Sequence, residues 1–147
     1  MPHTRIKGEG RRILVIDDDL AIRVLLQAVL KRLAFEVVLA EDGEVGLATI
    51  AREKFDLVLL DLMMPKVNGY EFIERVASVD GKRPHIIVFT AAGQRGVARI
   101  PPNTVCASIL KPFDLEKFLD LIEHCLANHS TPVEESTDAR RDSEPGV

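Results

Sequence analysis

Five short runs of uninterrupted apolar residues recur along the chain: Ile13 to Ile16, Val37 to Ala40, Leu57 to Leu60, Ile86 to Phe89 and Ala107 to Leu110. A strand that faces water on one side alternates apolar with polar residues. Unbroken apolarity therefore predicts strands covered on both faces, as in a parallel sheet with helices on either side. The segments between the runs carry helical spacing. Ile22, Leu25, Leu26, Val29 and Leu33 follow the i, i+3, i+4, i+7 rhythm of an amphipathic helix, and Leu115, Phe118, Leu119, Ile122 and Leu126 repeat it. Val45, Leu47, Ala48 and Ala51 predict a weaker helix, and Phe72, Ile73 and Val76 a short one. Asp19 and Asp114 stand just before apolar stripes, where a carboxylate caps orphan backbone N–H groups. The repeating βα pattern predicts an α/β, doubly wound fold with a five-stranded parallel sheet.

The pattern bounds a domain over residues 12–127, after an N-terminal extension at 1–11. Residues 128–147 hold many Ser, Thr, Pro and charged residues and almost no apolar ones, too few to offset the entropy of ordering, so a disordered tail is expected. With 46% hydrophobic residues, the chain can bury a real core. Its net charge of −4 argues against a general nucleic-acid surface, because neutralising phosphates needs clustered Lys and Arg. No apolar run approaches the ~18 residues of a membrane span, and no signal-peptide pattern follows the first residues. A cytoplasmic location is expected. Cys106 and Cys125 lack metal-ligand spacing, and their apolar surroundings suggest buried thiols in a reducing compartment.

In open α/β sheets, sites form beyond the carboxyl ends of the strands. The residues there are Asp17, Asp18 and Asp19 after the first strand, Asp61 after the third, Thr90 after the fourth and Lys111 after the fifth. Taken singly, each could be a cap or a loop residue. Together they make a cluster that needs charge compensation, since two carboxylates ~4 Å apart repel by roughly 4 kcal/mol at an effective dielectric of ~20. Protonation, a cation or the Lys111 ammonium could each supply it. An oxygen-only pocket suits Mg²⁺.

The blocks ILVIDDD, LVLLDLMMPKVNG, IIVFTA and ILKPF, in this order and spacing, resemble the response-regulator receiver domain of two-component signalling, of the stand-alone single-domain type. The resemblance implies a flavodoxin-like strand order of 2-1-3-4-5 and a cis bond between Lys111 and Pro112. It makes Asp61 the phosphoryl acceptor, with Asp17, Asp18, Asp61 and the Met63 carbonyl at Mg²⁺, and Thr90 and Lys111 on the phosphoryl oxygens. It also implies a phosphohistidine donor on a sensor histidine kinase or histidine phosphotransfer protein, and a separate downstream protein partner. None of the four histidines forms a constellation that suggests a donor within the chain. Such a protein catalyses its own phosphorylation and is not a turnover enzyme. Met63 and Ala92 occupy two positions where polar side chains orient the hydrolytic water in this family, so autodephosphorylation is expected to be slow.

Two departures stand out against the resemblance. Gly93, Gly96, Pro101 and Pro102 crowd the segment from Ala91 to Ser108, so the fourth helix is expected to be short or irregular. Ser108 occupies a position where many receivers carry a Tyr or Phe that reports phosphorylation, so a nonstandard output surface is expected. An alternative is a noncatalytic receiver-like interaction module. A haloacid-dehalogenase-type hydrolase is disfavoured because no second carboxylate stands two residues after Asp61. An FMN binder is disfavoured because Asp17 to Asp19 would repel its phosphate.

Overall fold

The computed structural model describes residues 6–79 and 81–127, so residues 1–5 and the expected tail at 128–147 lie outside the described residues. Five strands, β1 (Arg12–Ile16), β2 (Glu36–Ala40), β3 (Leu57–Leu60), β4 (His85–Thr90) and β5 (Ala107–Leu110), pair in parallel in the order β2-β1-β3-β4-β5. They alternate with α1 (Leu20–Arg32), α2 (Gly43–Arg52), α3 (Gly69–Ala77), α4 (Gly93–Ala98) and α5 (Leu115–Ala127).

Successive residues of the central strands enter two different cores. Ile13, Val15, Leu57, Leu59, Ile87 and Phe89 pack on one face with Leu26 and Leu30 of α1 and Phe118 and Ile122 of α5. Leu14, Ile16, Val58, Leu60, Ile86 and Val88 pack on the other with Phe72, Ile73 and Val76 of α3. This two-sided burial is why the strands read as continuous apolar runs. Ile6, within the expected N-terminal extension, is also buried in the first of these cores.

Both predicted caps form. Asp19 accepts a hydrogen bond from the Ala21 N–H at 2.9 Å, and Asp114 from the Glu116 N–H at 2.9 Å. In the apolar stripe of α5, Phe118, Leu119, Ile122 and Leu126 are buried and Leu115 is half-buried, whereas in α1 Leu30 is buried and Leu25 is 45% exposed. The helix expected around Val45, Leu47, Ala48 and Ala51 exists, but its inward face is different. Gly43, Gly46 and Thr49 are buried, while Val45, Ala48 and Ala51 are exposed. A β-carbon on Gly46 would stand 2.5 Å from Ile16 Cδ1 and 3.2 Å from Phe72 Cε2, so α2 approaches through a glycine that hydropathy does not mark.

α4 has only six residues, in agreement with the helix-breaking composition of its segment. It is held to α3 by the Tyr70 hydroxyl, which donates to the Gly96 carbonyl at 2.7 Å, and by Arg99, whose guanidinium lies 4.7 Å from the Tyr70 ring centroid. Ser108 is half-buried in β5, beside Val88.

The expectation of two buried thiols is corrected. Cys125 is fully buried, but Cys106 is exposed, and the two form a disulfide with Cα atoms 6.1 Å apart. α5 runs back alongside β5, so the end of the helix returns to the start of the strand. Local apolarity around each cysteine carries no trace of that return.

Candidate functional site

The sheet order reverses between β2-β1 and β1-β3, and β1 and β3 end together, with Ile16 opposite Leu60. The next residue of each chain is an aspartate, so register alone sets Asp17 beside Asp61. The Asp61 N–H donates to the Ile16 carbonyl at 3.0 Å, extending the ladder by one bond. Beyond β4 and β5 the same happens again: the Lys111 N–H donates to the Thr90 carbonyl at 2.8 Å.

Asp17, Asp61 and Thr90 are buried, Asp18 is exposed, and the Lys111 side chain is 19% exposed. The Lys111 Nζ donates to Asp17 Oδ2 at 2.8 Å and to Asp61 Oδ2 at 3.3 Å. It also lies 5.1 Å from the Phe89 ring centroid, so an aromatic face supports its charged end. The peptide bond from Lys111 to Pro112 is cis, as the resemblance implied.

The remaining carboxylate oxygens are aimed by the loops. Asp17 Oδ1 accepts from the Asp19 N–H at 2.9 Å, and Asp61 Oδ1 from the Met63 N–H at 3.2 Å. Thr90 Oγ1 accepts from the Ala92 N–H at 3.1 Å. Oxygen atoms of Asp17, Asp18 and Asp61 all lie within 4.8 Å of one another. Three carboxylates so close, offering only oxygen, fit a small hard divalent cation. The Met63 side chain is 58% exposed, and its main chain is tied to the site through the N–H bond to Asp61.

Gly69 opens α3 where a β-carbon would stand 2.5 Å from Leu62 Cα and 2.7 Å from the Asp61 carbonyl oxygen, so only glycine lets the helix begin against the loop that follows Asp61. Asn68 caps that helix by accepting from the Glu71 N–H at 3.0 Å.

Burial raises the pKa of the Asp17 carboxyl, against the opposing hydrogen bonds from Lys111 and the Asp19 N–H. For Lys111, burial lowers the pKa, but the hydrogen bond to Asp17 and the charges of Asp61 and Asp17 outweigh it, and the net shift is upward. Lys111 is therefore firmly cationic at neutral pH.

All five side chains singled out from the sequence as site residues, together with the Met63 backbone, meet at one end of the sheet. One neighbour was missed. Arg23 on α1 donates from Nη1 to the Asp17 main-chain carbonyl at 2.6 Å, tying the aspartate loop to the helix that follows it. Its signal was a basic residue one turn into a helix whose other inward positions are apolar.

The family profile of the response regulator receiver domain matches residues 13–123. The probable chemotaxis protein CheY of Rhizobium etli is 34% identical over 122 residues, which cover 79% of this chain and 92% of that protein. Sporulation initiation phosphotransferase F of Bacillus subtilis is 29% identical over 118 residues, covering 80% of this chain and 94% of that one. A two-component response regulator of Arabidopsis thaliana is 33% identical, but the match spans only 31% of its length. Among solved structures, the response regulator protein TrrA of Thermotoga maritima in complex with Mg(2+)-BeF superposes with a TM-score of 0.71 at 29% identity, covering 78% of this chain and 98% of that one. The chain belongs to the response regulator receiver domain family. Among the described residues, no helix is long and apolar enough to cross a membrane.

Proposed function

We propose that this chain is a phosphoacceptor: Asp61 takes a phosphoryl group from a phosphohistidine on a sensor histidine kinase or histidine phosphotransfer protein, and a separate protein reads the result. The observation that carries this reading is the Lys111 ammonium, held between Asp17 and Asp61 at 2.8 and 3.3 Å. A cation spanning the acceptor and its acidic neighbour is placed to meet charge on an incoming phosphoryl group.

In the transfer, an Asp61 carboxylate oxygen forms the new bond to phosphorus as the nitrogen–phosphorus bond of the donor breaks, and the imidazole leaves carrying its electron pair and takes up a proton. Lys111 and the Thr90 hydroxyl stabilise the phosphoryl oxygens during that exchange, so catalysis is positioning and electrostatics rather than turnover chemistry. Asp17, Asp18, Asp61 and the Met63 carbonyl would hold Mg²⁺, which when bound supplies further positive charge toward the phosphoryl group. The T. maritima structure with Mg(2+)-BeF supports that assignment by family likeness.

We assign slow self-dephosphorylation to the same site. Loss of phosphate needs a water in line with the acyl phosphate, and neither the Met63 nor the Ala92 side chain offers it a strong hydrogen bond. ATP-fed histidine kinases deliver phosphoryl groups inside the cell, so we place the chain in the cytoplasm. Incubating the protein with a phosphorylated histidine phosphotransfer protein and Mg²⁺ tests the reading. The donor should lose its phosphate as the acceptor gains it, whereas a noncatalytic interaction module would bind without gaining any.

A further inference from the structure

The β5–α5 hairpin is fastened at both ends by different means. Near Lys111, three rings close on one another: Phe113 lies 4.8 Å from Phe118 and 6.0 Å from Phe89, centroid to centroid. At the far end the fastener is covalent, the Cys106–Cys125 bond, which closes a loop of sequence separation 19 that holds all of β5, Lys111 and almost all of α5. Among the described residues β5 is an edge strand paired with β4 alone, and its four residues are half-buried.

We propose that Cys106 and Cys125 are a reversible redox modification site, oxidised by a low-molecular-weight disulfide of the glutathione type, that stiffens the β5–α5 edge without altering the acceptor. The proposal rests on the phosphoacceptor reading in one respect: a chain served by ATP-fed kinases works where thiols are kept reduced, and disulfides there are transient, catalytic or sensing.

Exposure sets the order of events. Cys106 is exposed and Cys125 fully buried, so Cys106 reacts first. Its thiolate attacks glutathione disulfide, expels one glutathione thiolate and leaves a mixed disulfide. The Cys125 thiolate then attacks the Cys106 sulfur and expels the second glutathione. Two protein thiols have given two electrons and two protons, and one glutathione disulfide has become two glutathione thiols. Reduction reverses the sequence, with the external thiolate attacking the exposed Cys106 sulfur.

Opening the bond returns loop entropy to the unfolded chain, while the aromatic cluster keeps Lys111 in place. Redox state therefore acts on the surface of β5 and α5, and phosphorylation of Asp61 proceeds in both forms.

The full chain is equilibrated in mixtures of glutathione and glutathione disulfide, its free thiols are alkylated, and intact mass and melting are read. Conversion between zero and two alkylated thiols is expected across the series, with the reduced form melting roughly 10 °C lower. Cys125→Ala should keep one glutathionyl group on Cys106, and Cys106→Ser should acquire none. A chain that stays dithiol in excess glutathione disulfide, or melts identically in both forms, overturns the proposal, as does glutathione attached to Cys125 in Cys106→Ser. Acetyl phosphate labelling of the same samples separates the two readings. Failure to label in either redox form would defeat the phosphoacceptor reading and leave the thiol titration standing.

Discussion

The Lys111 ammonium lies 2.8 Å from an Asp17 carboxylate that has no exposure to solvent. A charge in that position has lost its water, and Lys111 together with the Asp19 N–H replaces part of it. Removing one partner of a buried pair is costly because the other stays behind uncompensated. Lys111→Met should lower stability by about 3 kcal/mol at pH 7, read by urea unfolding.

The pH dependence follows from the two shifts. Asp17 has its pKa raised in the fold, so its ionisation costs stability above that raised value, and the cost is relieved as Asp17 takes up a proton while pH falls toward its ordinary value of 3.8. The Lys111→Met deficit should therefore shrink as the pH is lowered from 7 toward 4. In the wild type, Lys111 has its pKa raised above 10.5, so its contribution is complete below that value and is lost as pH rises through the higher folded value. A deficit that grows on acidification would contradict this assignment.

Asp18 contributes charge to the cluster while remaining exposed. Asp18→Ala should leave melting in EDTA unchanged or slightly higher and should weaken Mg²⁺ binding at least tenfold, since even partners behind the ligands cost ~10–100-fold. Calorimetric titration with Mg²⁺ reads the second effect, and unchanged affinity would remove Asp18 from the ligand set.

The sequence disclosed most of this site because a parallel sheet turns strand order into spatial order: a residue that follows Leu60 must lie next to one that follows Ile16. The continuous runs were legible for the same reason, since each central strand feeds two cores. The inward face of α2 was not, because Gly46 and Thr49 carry no hydropathy signal, and Gly46 is buried by the close approach of Ile16 and Phe72. Nor was the Cys106–Cys125 bond, which depends on the path of α5 back along β5.

The segment before β5 has a six-residue helix tied to α3 through Tyr70, whose hydroxyl donates to the Gly96 carbonyl and whose ring faces Arg99. Amide exchange across residues 91–105 should be faster than in α5. Tyr70→Phe should speed it further across 93–99, at a stability cost of about 1 kcal/mol. Protection there equal to that of α5, unchanged by the substitution, would show that α4 is held by something else.

Met63 and Ala92 bear on how long the acyl phosphate lasts. Met63→Asn with Ala92→Glu adds hydrogen-bonding groups beside the acceptor, and phosphate loss from the purified protein in Mg²⁺ should accelerate about tenfold. A wild-type protein that loses phosphate within seconds, at a rate the double substitution leaves alone, would refute the slow-decay assignment.

Intact-mass analysis of wild type and Asp61→Asn after incubation with acetyl phosphate and Mg²⁺ tests the central claim most directly. The wild type should gain a single phosphoryl group that hydroxylamine removes, as expected of an acyl phosphate, and Asp61→Asn should gain none while melting as a folded protein. Undiminished labelling of Asp61→Asn, or a folded wild type that never labels, would contradict the account.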